Sequence, residues 1–175
     1  MLGSKGFTLV EVLVALFVLA LGIAGAAGLQ TLAVRTGQEA ARLADGAQLL
    51  AALAERMQAN RAAMALDAAA NPYLELDYDA AAGPPPAATL CYGGAACDAA
   101  QLARFDLFEV AQAVAARYAG GRIQVCRDAD AAPGWTCAGG PGAPLVARLG
   151  WREAGDGGRD GVAPKLRLVL AGAAP

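Results

Sequence analysis

The chain has 175 residues, room for one globular domain beside one long apolar helix, with 14 Lys and Arg against 16 Asp and Glu. That slight acidity, without a basic block, argues against nucleic-acid binding as the main role. Histidine is absent, which removes the commonest general base and the commonest metal ligand together.

In chain order, the first feature is Gly6-Phe7-Thr8-Leu9-Val10-Glu11 and the apolar run that follows to about Leu29. A secretory signal peptide is discarded together with its apolar segment. Here the expected processing point, the Gly6–Phe7 bond, precedes the apolar segment, so the hydrophobic helix is kept. No charged residue occurs from Val12 to Val34, enough to cross a hydrocarbon core that needs ~20 residues. One carboxylate, Glu11, lies near the start of this run. A charge there is costly and asks for a named partner. The natural partner is the α-amino group of a processed Phe7 on another copy or on a sister subunit. An ordinary signal anchor, the alternative, has no need for a Glu at that depth. Lys5 and the starting amine flank the run on one side; Arg35 is the first charge on the other. The positive-inside rule then keeps the leader in the cytoplasm and puts residues after about Arg35 outside the inner membrane.

After Gln30 the pattern turns amphipathic. Leu43, Leu50, Met57 and Met64 recur every seven residues, with Ala47, Leu53 and Ala54 between them, while Arg42, Gln48, Glu55 and Gln58 face solvent. No proline interrupts Met1 to Asn71. The expected element is one helix from about Phe7 to Met64 or Leu66, ~85 Å long at 1.5 Å per residue. Gly22, Gly25, Gly28 and Gly37 are its weak points, and they also make a small-residue face for neighbouring helices. The expected divisions are 1–6 leader, 7–29 membrane and assembly helix, 30–66 amphipathic continuation, and 67–175 globular head.

Asn71-Pro72 breaks the helical pattern, and Gly83 to Gly94 reads as an irregular loop. Asp98 offers an N-cap with Gln101 three residues on, a capping-box pattern. Leu102, Phe105, Leu107, Val110, Ala111, Val114 and Tyr118 then give a broad apolar face, and Gly120-Gly121 ends the helix. Strands are predicted at Arg122–Arg127, Leu145–Glu153 and Lys165–Leu170, an antiparallel meander. The bottom-up class is α+β. Cys91 and Cys97 enclose five residues, and Cys126 and Cys137 enclose ten. Neither spacing suits a redox or zinc motif, and no metal or cofactor is called for. Four cysteines allow three connectivities; in an oxidising compartment the expected outcome is two local disulfides, Cys91 with Cys97 and Cys126 with Cys137.

The N-terminal segment resembles type IV pilins and the pseudopilins of type II secretion. The matching residues are Met1–Gly6 with Lys5, then G-F-T-L-x-E, then V-L-V-A-L-F-V-L-A-L-G. The resemblance implies that a prepilin peptidase cuts after Gly6, that Phe7 becomes N-methylated, and that Glu11 serves in assembly. It also implies a pilin-like fold, with a long helix packed on a small antiparallel sheet. Further on, the Cys91/Cys97 pair, Ala103 to Phe108 (A-x-x-D-L-F), a Gly-Gly before a strand, the second cysteine pair and W-R-E followed by K-L-R-L-V-L resemble the type IV pilus modification proteins, the PilV group of minor pilins. This implies a structural, non-catalytic role in priming fibre growth, with other minor and major pilins as partners through the N-terminal helix.

The nearest rival is a minor pseudopilin of type II secretion, which shares the same N-terminal motif. From another class, a membrane-anchored periplasmic enzyme lacks a constellation: the single Ser, Ser4, is in the leader. Glu75, Asp77 and Asp79, or Asp156 and Asp160, could hold Ca²⁺ through oxygen ligands, but none matches an EF-hand loop and solvated loop charge is the expected reading. Trp135 and Trp151 are expected as core or interface aromatics.

Overall fold

The computed structural model describes residues 6, 8–129, 134–140, 142–153 and 162–170. Leader residues 1–5, Phe7, Asp156 and Asp160 lie outside the described residues. Two compact units divide the chain, Met1–Arg42 and Leu43–Pro175.

Helix α1 runs Leu9–Ala59. It is rich in Leu and Ala, strong helix formers, and holds no proline. The helix does not reach Met64 or Leu66 unbroken as expected. Asn60 leaves helical geometry (φ −92°, ψ 64°) and its side chain caps the short α2, Arg61–Met64, by accepting the Ala63 N–H at 3.3 Å. The same side chain donates to the Ala99 carbonyl at 2.8 Å. Asn60 is buried, so its amide has to find partners inside the protein, and satisfying them bends the chain.

A 3-10 turn follows at Pro72–Glu75, capped by the Asn71 side chain on the Tyr73 N–H at 3.0 Å. Helix α3 spans Ala99–Arg117. Asp98 accepts the Gln101 N–H at 2.7 Å and the Gln101 side chain accepts the Asp98 N–H at 3.0 Å, the full capping box.

The sheet has four strands, β1 Asp77–Asp79, β2 Arg122–Arg127, β3 Leu145–Gly150 and β4 Leu166–Leu170, in the order β1-β2-β3-β4 and antiparallel throughout. Three of these were expected, and β1 is an addition. β3 stops at Gly150 rather than Glu153: a Cβ on Gly150 would lie 2.3 Å from the Ala163 carbonyl oxygen, so the chain crossing there needs a glycine.

Strand alternation places Ile123, Val125, Leu145, Ala147, Leu149, Leu166, Leu168 and Leu170 on one face of the sheet, by the register of β2 to β4. Leu50, Leu53 and Met57 of α1 and Val110, Ala111 and Val114 of α3 join that face in one core. Within α1 the buried positions are Gly46, Leu50, Leu53 and Met57, while Ala47 is exposed. The inward stripe thus passes through Gly46, where a Cβ would come 2.6 Å from Leu166 Cδ1. Leu102 of α3, expected on the apolar face, is exposed. All of β3 is buried because the opposite sheet face is also covered: Arg148 donates to the Thr136 carbonyl at 2.9 Å, and Cys137 is bonded to Cys126 of β2. The layout is α+β and pilin-like: a long N-terminal apolar helix, a small antiparallel sheet and an extra helix.

Candidate functional site

Thr8 stands immediately before Leu9 and caps α1. Its hydroxyl accepts the Glu11 N–H at 3.3 Å, and its carbonyl accepts the Glu11 and Val12 N–H groups at 3.1 and 3.3 Å. Helix starts leave their first N–H groups open, and such a cap satisfies them. Glu11 is the third helical residue. Its side chain is exposed, and its carboxylate bonds to no described residue. Gly6 is exposed and outside the helix.

The apolar run is exposed along its length, from Leu9 at 78% through Phe17 at 65% to Leu29 at 71%. By length and composition it can cross a membrane. The hydroxyls within or near the run are satisfied by the helix itself: Thr31 donates to the Gly28 carbonyl at 2.7 Å and Thr36 to that of Ala33 at 3.0 Å. A hydroxyl closed in this way is tolerated in lipid. Nothing lies within 4 Å of a Cβ built on Gly22, Gly25 or Gly28, so that face is open to a neighbouring helix.

In the globular unit, Cys91 is bonded to Cys97 and Cys126 to Cys137. Tyr92, beside the first disulfide, packs edge-on against Phe105 with centroids 4.8 Å apart and donates to Glu109 at 2.8 Å. Glu109 also takes Arg56 of α1 at 2.5 Å. Arg56 reaches on to Asp106 at 3.4 Å, which accepts the Tyr73 hydroxyl at 2.7 Å. Burial raises the Asp106 pKa above the ordinary aspartate range, with the Glu109 charge adding to the rise, while the Tyr73 hydroxyl and Arg56 oppose it. Burial, seconded by the bond to Asp106, likewise raises Tyr73.

Sequence reasoning missed this network, because Asp106 and Arg56 each look like surface charges on their helices. It also missed the buried Arg148–Asp128 ion pair, with both side chains 1% exposed. Only the A-x-x-D-L-F segment hinted at Asp106. Trp151 is buried and tilted against Tyr118 at 5.0 Å, and Trp135 is half-buried with Arg122 4.7 Å over its ring.

The acidic set Glu75, Asp77 and Asp79 does not converge. Asp77 takes Arg122 at 3.0 Å and Gln124 at 3.2 Å, Asp79 takes the Ala81 N–H at 2.8 Å, and Glu75 lies 3.9 Å from Arg104. Among the described residues no group of His, Cys, Asp or Glu could hold a metal ion. A mostly apolar cavity of about 260 Å³ lies between β1 and α3, lined by Leu76, Tyr78, Pro86, Leu107 and Phe108.

No curated protein and no solved structure matches this chain. Residues 1–27 match the prokaryotic N-terminal methylation motif. The chain therefore carries a type IV prepilin-like leader, the mark of pilin-like and pseudopilin-like substrates, and the helix that starts within the motif is long and apolar enough to fit a membrane anchor.

Proposed function

We propose that this chain is a minor pilin of a type IV pilus, a structural subunit that helps to prime and assemble the fibre. The observation that carries the reading is the methylation motif at residues 1–27, which takes in the start of an apolar helix whose membrane-length stretch holds no buried residue. In this reading prepilin peptidase cuts after Gly6, Phe7 is N-methylated, and the protein sits in the inner membrane with its leader in the cytoplasm and its head in the periplasm. An all-round hydrophobic helix is stable in lipid and equally in a bundle of like helices, so passage from membrane to fibre is feasible. Glu11, with no described partner, then pairs with the Phe7 amine of a neighbouring subunit and fixes axial register. Desolvated pairs of this kind are better placed to give specificity than stability.

The role is non-catalytic. The Cys91/Cys97 and A-x-x-D-L-F segments favour the pilus modification (PilV) group within the minor pilins. A minor pseudopilin of type II secretion is the second reading, favoured by the shared G-F-T-L-x-E. Affinity purification of the intact protein from its host membranes, with mass spectrometry of its N-terminus and partners, tests both. A chain starting at N-methyl-Phe7 and copurifying with pilus subunits is expected. Secretion-system partners would move the assignment to the second reading. A chain retaining residues 1–6, or cut near Ala27, would overturn processing altogether.

A further inference from the structure

We propose that the cavity between β1 and α3 is a binding site for a small zwitterion, a free amino acid with a branched aliphatic or aromatic side chain. The site lies wholly within the Leu43–Pro175 unit and does not depend on the processing reading given above.

The walls follow from the periods of the elements that build them. Arg104, Leu107, Phe108 and Ala111 share one stripe of α3, at i, i+3, i+4 and i+7. Opposite them, Leu76 and Tyr78 stand two residues apart on extended chain and so point to the same side. Residues 86–88 close a third side. Leu76, Tyr78 and Leu107 are buried, which makes the interior apolar. At about 260 Å³ the cavity is at the small end for ligand sites, typically ~300–1,000 Å³. It suits one apolar side chain rather than a large molecule.

The polar groups on the lining are of two kinds. The Tyr78 hydroxyl donates to the Gly83 carbonyl at 2.9 Å, and the Asp77 carboxylate accepts from Arg122 at 3.0 Å and Gln124 at 3.2 Å. These are engaged. Arg104 and Glu75 are not: their N···O separation is 3.9 Å, with the side chains 55% and 58% exposed. That distance is too long for a hydrogen bond, and among the described residues neither side chain makes one. Such an exposed pair contributes little to stability. It does set a cation and an anion side by side at the mouth of an apolar cavity. An α-amino acid carries the complementary set on a single carbon: a carboxylate for the Arg104 guanidinium, an ammonium for Glu75, and a side chain for the cavity. A simple carboxylic acid would leave Glu75 unanswered and a simple amine would leave Arg104 so. The zwitterion answers both.

The test is isothermal titration calorimetry on the full chain in non-ionic detergent micelles, with L-leucine and L-phenylalanine as probes. At least one of them should bind saturably. The amide of that amino acid lacks the carboxylate, and its N-acetyl derivative lacks the ammonium. Each should bind roughly ten-fold more weakly, the effect of one charge-assisted hydrogen bond. Arg104→Gln and Glu75→Gln should weaken the parent amino acid by a similar factor while leaving Tm unchanged, since both side chains are exposed. Saturable binding of neither amino acid overturns the proposal. So does equal affinity for the amino acid, its amide and its N-acetyl derivative, which would mean that the cavity takes apolar groups alone. Wild-type affinity in either variant would place the ligand elsewhere and overturn it as well.

Discussion

Glu11 is the residue on which assembly turns in the proposed role. Its carboxylate lies in the first turn of an apolar helix, where a cationic partner makes it tolerable. Glu11→Ala should leave cleavage and membrane insertion intact and weaken copurification of sister subunits and piliation. Glu11→Asp, one methylene shorter, should fall between. Glu11→Gln should resemble Ala if charge is what registers the contact; normal piliation in the Ala strain would refute the role. Asp106 supports a second prediction, of opposite character. Its pKa is raised in the folded protein, chiefly by burial, so the folded state holds the proton more tightly than the unfolded one. That contribution to stability is fully present below the ordinary aspartate pKa and is lost as pH rises through the folded value. Asp106→Asn carries no such dependence, so its stability relative to wild type should rise between pH 3 and pH 7. Thermal melts of both proteins in the same detergent would check this, and a relative stability that fell over that range would contradict the assignment.

At the scale of elements, the local signals in the sequence were the ones that could be read. The Asp98/Gln101 box, the strand at Arg122–Arg127 and the leucine face of β4 stand where the pattern put them, because cap chemistry and alternation are written within a few residues. The break at Asn60 was not legible, since Asn is only mildly unfavourable within a helix and its reason for leaving is Ala99, far along the chain. Nor was β1: Asp-Tyr-Asp has little strand propensity, and it is held by pairing to β2, with Asp77 on Arg122 and Tyr78 in the core. The seven-residue pattern found the right face of α1 but misplaced one member, choosing Ala47 over Gly46, because a glycine carries no hydropathy signal of its own. Gly46 offers a third prediction. Gly46→Ala gains about 1 kcal/mol of helix propensity but asks the flexible tip of Leu166 to move and Leu149 Cδ2, 3.1 Å from the new Cβ, to give by a little, so the two effects offset and stability should change little. Gly46→Leu should cost roughly 1–3 kcal/mol by overpacking, read as a drop in Tm, and an unchanged Tm would show that α1 is not seated there.

For the whole molecule, the N-terminal motif and the α+β layout were readable from sequence together, whereas the buried Arg148–Asp128 pair was not, because it exists only once the 134–140 segment covers the sheet. The sheet follows chain order, and the first cysteine is bonded to the second and the third to the fourth, six and eleven positions apart. Of the three pairings open to four cysteines, this is the one a chain reaches when, as the proposed role requires, it crosses the membrane N-terminus first and each thiol meets the earliest available partner. Oxidation in the order of synthesis therefore ends at the native links, with no wrong bridge to be undone by the slow reshuffling that other connectivities require. In the proposed periplasmic placement, export of this head should accordingly need a thiol oxidase but no disulfide isomerase. Peptide mapping of protein from an isomerase-deficient host should return the same two bridges in the same yield, and a Cys97–Cys126 link accumulating there would show that the order of emergence does not govern the pairing.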